Sequence, residues 1–229
     1  MTKDDVPTTT DDWPYLYQRD RRIPQLFILV SVLVMSLAAI LYLEIPGTRR
    51  SMPSPFFFFM GAGFMLLETQ VLSRLALYFG TRWQVTGIVI SSLLVSILAA
   101  NVITALDNRS ISQSFILCGL FLGLGSAHLV PFSRLPFQPT IVGLIASAIF
   151  SVPVFFGGLL FSKEFARMDT PSLALGANVL GSVFGGLLEN VSLITGMRAL
   201  LLMTIIVYAF ASLPLLIERR NILRATSRL

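Results

Sequence analysis

Two residue types that build most metal and redox sites are nearly missing from this chain of 229 residues. It has a single cysteine, Cys118, which excludes a disulfide framework and any zinc or iron–sulfur site made of cysteines. It has a single histidine, His128, which excludes a multi-histidine metal centre. The sequence therefore predicts no metal site and no cofactor.

Charge is also scarce. Asp, Glu, Lys and Arg make up 13% of the residues, about half the usual share in soluble domains, whereas the apolar class makes up 55%. A soluble domain of this size needs a largely polar surface, which so few charges cannot supply. The same composition excludes intrinsic disorder for the bulk of the chain. The chain is therefore predicted to be a helical membrane protein whose main partner is the lipid bilayer.

The net charge of +5 does not indicate a nucleic-acid partner. The basic residues fall mostly between apolar segments, where they anchor loops at the lipid headgroups. No basic stripe with interleaved aromatic residues occurs, and nucleic-acid surfaces usually have one.

Seven apolar segments account for most of the chain. Each has about 20 to 25 residues, which is enough to cross roughly 30 Å of hydrocarbon at 1.5 Å per residue. Four of them have a proline at their first or second position, and proline suits the first helical turn. The sequence predicts an all-α polytopic bundle of about seven spans, with six to eight possible. The segments are about 24–43, 54–79, 85–106, 111–130, 139–161, 170–190 and 197–217.

These segments divide the chain into three parts. Residues 1–22 form a polar juxtamembrane tail, 23–218 a transmembrane domain and 219–229 a basic C-terminal tail. The first part does not have the basic region, short apolar core and small-residue cleavage site of a signal peptide. Arginines flank the spans on both sides of the bundle, so the orientation and the parity of the spans stay open.

Glu68 is the most informative polar residue. It lies about 13 residues into the second segment, roughly 20 Å along a helix, where a carboxylate costs a few kcal/mol unless the protein satisfies it. We therefore expect Glu68 to face the bundle interior and to hydrogen-bond another helix, with Asn101 and Asn178 as the nearest donors by depth. The alternatives are a proton or substrate site and a buried polar clamp. The full set of buried polar candidates is Glu68, Gln70, Asn101, Asn178 and Glu189.

Small residues indicate where helices pack closely. Gly181 and Gly185 form a GxxxG motif in the sixth segment, and Gly61 and Gly63 lie in the second. Such faces let backbones approach at short distance, which drives helix association in lipid. Packing within one subunit is favoured here over a dimer interface, and the oligomeric state stays open.

Three stretches together resemble one family. They are Thr10–Tyr17 (TDDWPYLY), the run from Met60 through Gln70 and Trp83 to Asn101, and the run from Gly176 through Asn190 to Leu200. In combination they look like the membrane portion of bacterial spermidine-synthase-like (polyamine aminopropyltransferase-like) multi-pass proteins, and the resemblance covers nearly the whole chain.

The resemblance implies a role without catalysis in this chain. In that family a Rossmann-type catalytic domain precedes such helices, and no glycine-rich turn or strand pattern here could form one. The expected function is a non-catalytic subunit of the inner (plasma) membrane. It would anchor or regulate a soluble spermidine-synthase-like or methyltransferase-like partner through residues 1–22 and the loops on the same side of the membrane. The alternative is a small transporter or permease with a buried carboxylate site at Glu68. No catalytic residue is predicted, so enzyme activity in this chain is not expected.

Overall fold

The computed structural model describes residues 21–44, 54–79, 83–106, 111–130 and 135–226. These ranges contain eight α-helices and no β-strand. The helices are α1 Gln25–Leu43, α2 Pro55–Phe79, α3 Trp83–Leu106, α4 Gln113–Leu129, α5 Pro139–Phe165, α6 Pro171–Leu188, the short α7 Ser192–Thr195 and α8 Met197–Thr226. A single turn of 3-10 helix, Glu189–Val191, connects α6 to α7.

Most of these helices have the length and composition of membrane spans. Five stretches, which belong to α1, α2, α5, α6 with α7, and α8, are long and apolar enough to cross a membrane. The apolar stretches of α3 and α4, Ile90–Leu106 and Gln113–Leu129, are shorter. The predicted all-α bundle of about seven spans is confirmed, and the protein is a membrane protein.

The segment ends differ most from expectation at the C-terminus. Helix α8 continues to Thr226, so most of the segment 219–229 that was expected to be a tail is helical. The sixth span ends where expected: α6 ends at Leu188, and the 3-10 turn and α7 lead to a tight turn at Gly196, with φ 89°, before α8 begins. Only glycine adopts that φ readily. Residues 1–20 of the expected N-terminal tail lie outside the described residues.

Helix α2 lies at the centre of the bundle and packs against α6, α8, α5 and α3. Its contact with α6 is the most extensive in the described part of the chain. Gly181 of α6 lies against the backbone of Phe58, and Gly185 lies against the backbone of Ala62. The contact residues rise by four on both helices, so α2 and α6 run parallel to each other.

A second pair of glycines joins α4 to α5. Gly119 faces the ring of Phe156, and Gly123 faces Pro153. Pro153 lies inside α5, where it removes one backbone hydrogen bond. Both contacts require glycine, because a methyl group at either position would overlap the neighbouring residue.

Gly181→Ala is expected to lower the stability of the folded protein. The added methyl group would overlap the carbonyl of Phe58, and a backbone carbonyl cannot rotate away as a flexible side chain can. Overpacking of this kind costs about 1–3 kcal/mol. Thermal unfolding in mild detergent measures the effect.

Gly125→Ala is the matched control. Gly125 also lies in a helix, but nothing stands within 4 Å of the place where its Cβ would be. Alanine there should hold or raise the stability, by up to about 1 kcal/mol. Equal effects of the two substitutions would contradict the importance of the close α2–α6 contact.

Candidate functional site

A cavity of about 210 Å³ lies between α2, α3, α5, α6 and α8. Its walls are mainly apolar, with four polar side chains among the described residues that line it. The polar members are Asn101, Ser162, Asn178 and Tyr208, and the apolar members are Met60, Phe64, Ile97, Gly157, Gly158 and Phe161. A concave, mostly apolar site with a few converging polar groups is the usual form of a small-molecule site.

Asn178 is held in place by α2. The backbone carbonyl of Asn178 lies against Gly61, where any larger residue would collide with it. Its side-chain amide donates a hydrogen bond of 3.2 Å to the carbonyl of Phe57. The hydroxyl of Ser182, one turn further along α6, lies 3.3 Å from the carbonyl of Gly61. These contacts fix the depth of Asn178 and leave its side-chain oxygen free of described donors.

Asn101 and Ser162 form the opposite polar wall. The hydroxyl of Ser162 in α5 donates a hydrogen bond to the side-chain oxygen of Asn101 in α3. Within the described residues nothing accepts a hydrogen bond from the Asn101 amide nitrogen. That amide is therefore available to a molecule in the cavity.

Tyr208 contributes a buried hydroxyl. The side chain is 1% exposed, and its ring lies directly over Gly63. The hydroxyl points toward Gly157 and lies 3.5 Å from where a Cβ on that residue would be. No described residue makes a hydrogen bond with it. Because Tyr208 lines the cavity, this hydroxyl is open to a molecule bound there.

Glu68 lies outside this cavity. It shares the face of α2 with Gly61 but is seven residues further along, about 10 Å deeper. Its side chain is half-buried, and no described residue hydrogen-bonds it. The expected partners bind elsewhere, Asn101 to Ser162 and Asn178 to Phe57. The difference arises because α6 runs parallel to α2, so that Asn178 comes level with Phe57 and Gly61 instead of Glu68.

The remaining polar candidates lie near the other end of α2. Gln70 is fully buried and donates a hydrogen bond of 2.6 Å to the carbonyl of Met197, beside the Gly196 turn. Glu189 is half-buried and lies next to Thr69. Gln70 thus fixes the start of α8 to α2, and neither residue lines the cavity.

Sequence reasoning found two of the four polar residues of the cavity and missed Ser162 and Tyr208. Serine is common in this chain, and several described serines, such as Ser147 and Ser151, only hydrogen-bond a carbonyl four residues earlier in their own helix, so Ser162 does not stand out. A better signal was available in Gly157–Gly158, an adjacent pair in the middle of an apolar helix. Such a pair indicates a close approach or an open space beside the helix.

Glu68→Gln is expected to leave the stability unchanged or to raise it by about 1–2 kcal/mol. The substitution removes an ionisable group that no described residue satisfies, and such groups are costly in hydrocarbon. Asn178→Ala is the contrasting variant. It removes the hydrogen bond to Phe57 and should lower stability by about 1 kcal/mol. Thermal unfolding of both variants in detergent measures this, and a clear loss for Glu68→Gln would contradict the placement of Glu68.

Comparison with known proteins identifies no relative of this chain. No family model, no curated protein and no solved structure matches this chain. The resemblance to the membrane portion of spermidine-synthase-like proteins therefore stays a prediction.

Proposed function

We propose that this protein is a non-catalytic subunit of the inner (plasma) membrane that anchors or regulates a soluble partner. The partner is expected to be a Rossmann-type enzyme of the spermidine-synthase-like or methyltransferase-like kind, held through residues 1–22. The resemblance in sequence suggests the partner, and the position of α1 is the structural observation that supports an anchoring role.

Helix α1 stands at the edge of the bundle. In its apolar window 6% of the residues are buried inside the protein, compared with 56% in α2. Among the described helices it contacts chiefly α6. Leucines along its length are exposed, including Leu26 at 68% and Leu33 at 62%. This surface suits lipid, so α1 depends on the bilayer far more than on the other helices.

A helix of this kind contributes little to the packing of the bundle and can instead hold an adjoining segment at the membrane. Its 19 residues span about 29 Å, close to the hydrocarbon thickness. Residues 1–22 lead directly into it, so α1 determines where that segment leaves the membrane. A soluble partner bound there would lie beside the bundle instead of over its centre. This arrangement supports anchoring as the function.

Co-purification tests the proposal. The full chain, tagged at its C-terminus, is solubilised from membranes in mild detergent, and the recovered proteins are identified by mass spectrometry. A Rossmann-type enzyme should be recovered with the full chain and lost when residues 2–20 are deleted. Thermal unfolding of both chains separates loss of the partner from loss of the fold. A pull-down that repeatedly recovers no such enzyme would overturn the proposal.

Glu68 supports a second candidate, a small transporter or permease. A half-buried carboxyl about 20 Å along a membrane helix, without a described hydrogen-bond partner, suits the binding of a proton or an amine cation. Polyamines carry that charge and fit the expected family. Against this candidate, α2 runs unbroken through Glu68, whereas transporters often use interrupted helices at the binding site.

Flux measurements distinguish this second candidate. Polyamine uptake into proteoliposomes that contain the protein should fall at least tenfold in Glu68→Gln if the carboxyl binds the substrate. Gly125→Ala is the control, since nothing stands within 4 Å of its added methyl group, and it should leave uptake unchanged. If uptake is absent, or is unchanged in Glu68→Gln, the hypothesis of transport through Glu68 is contradicted.

A further inference from the structure

The cavity between α2, α3, α5, α6 and α8 is accessible from the side of the bilayer. Asn101, which lines it, is exposed and lies on the same face of α3 as Leu94 and Leu98, each 61% exposed. Leucines so exposed on a membrane helix face lipid. Helices α3 and α6 flank the cavity, and their described residues do not pack extensively against each other. A molecule dissolved in the bilayer can therefore reach the site between them.

The polar groups of the cavity favour an uncharged ligand that accepts hydrogen bonds. The described lining residues include two amides, an aliphatic hydroxyl and a phenol, and no charged side chain. A charged group there would lose its hydration without an opposite charge to replace it. After the internal hydrogen bonds are counted, the Asn101 amide and the Tyr208 hydroxyl remain as donors, beside one acceptor, the side-chain oxygen of Asn178. Two donors suit a carbonyl oxygen.

The size and walls of the cavity favour a single flat ring. Its volume of about 210 Å³ exceeds the roughly 150 Å³ of an apolar cavity known to admit benzene. It is too small for the whole of a two-chain lipid. Phe64, Phe161 and Tyr208 line it with aromatic rings, which pack well against a planar ring. The apolar tail of such a molecule would remain in the bilayer.

We propose that this cavity binds the head group of a membrane-soluble quinone, an uncharged ring with carbonyl oxygens, which enters from the bilayer between α3 and α6. One carbonyl oxygen accepts hydrogen bonds from the Tyr208 hydroxyl and the Asn101 amide. The ring packs against Phe64 and Phe161 and against the adjacent glycines of α5, Gly157 and Gly158. This site is independent of the anchoring function and of Glu68, and it requires no chemical change in the quinone.

Duroquinone and durene provide the binding test. Duroquinone is a benzoquinone methylated at every free ring position, so the exposed thiol of Cys118 has no open position to add to. Durene has the same ring and methyl groups without the carbonyl oxygens. Radiolabelled duroquinone is titrated against the purified full chain in lipid nanodiscs, with each compound as the unlabelled competitor. Duroquinone should compete about tenfold better than durene, as expected for one or two neutral hydrogen bonds.

Two substitutions locate the site. Tyr208→Phe removes the hydroxyl and should weaken duroquinone binding about tenfold, with durene unaffected. Gly157→Ala places a methyl group 3.5 Å from that hydroxyl and 3.9 Å from Leu120, which is ordinary contact, so the fold should tolerate it. The methyl group occupies cavity space, and binding should fall at least tenfold while thermal stability holds or rises.

Gly125→Ala is the matched control for Gly157→Ala, because it makes the same change in another helix outside the cavity. It should bind duroquinone as the unaltered chain does. Equal competition by durene and duroquinone would overturn the proposal, since it would mean that the cavity only holds apolar molecules. Unchanged binding in a stably folded Gly157→Ala variant, or no saturable binding in the unaltered chain, would also overturn it.

Discussion

The close approach of α2 and α6 is the contact on which the rest of the bundle depends. Between helices in lipid there is little hydrophobic driving force, so association relies on tight packing and on hydrogen bonds. Gly181 and Gly185 bring one backbone against the other, and Gly61 does the same from the side of α2. This contact makes α2 the central helix. Its other faces then pack against α8 through Gly63 and against α5 through Phe57.

The same contact decides which polar residues meet. Because the two helices run parallel with Gly61 beside Asn178, the amide of Asn178 comes to the level of Met60 and Phe64. There it meets the polar residues of α3, α5 and α8 around a shared space. Glu68 follows about two turns later on α2 and meets none of them. Glu68 and the neutral polar groups of the cavity therefore lie at different depths in the bundle.

Much of the fold could be predicted from the sequence, because the signals for spans are local. Apolar length and proline at the first turn placed α2, α5 and α6 within a few residues of their observed starts. The GxxxG motif at Gly181 and Gly185 indicated the main packing face. Which helix fills that face, and whether it runs parallel, depends on the whole bundle. For that reason depth along the helices alone predicts Asn101 and Asn178 as partners of Glu68, although both form hydrogen bonds elsewhere.

The central contact also has a consequence for the order of assembly. Asn178 and Phe57, which hydrogen-bond across it, are 121 residues apart in the chain. During synthesis α2 enters the bilayer long before α6 exists, and Gln70 first faces lipid or other helices, because Met197, whose carbonyl it later binds, is made later still. Contacts of such separation form late and slowly. The glycine face of α6 thus completes the core long after α2, its central helix, has been synthesised.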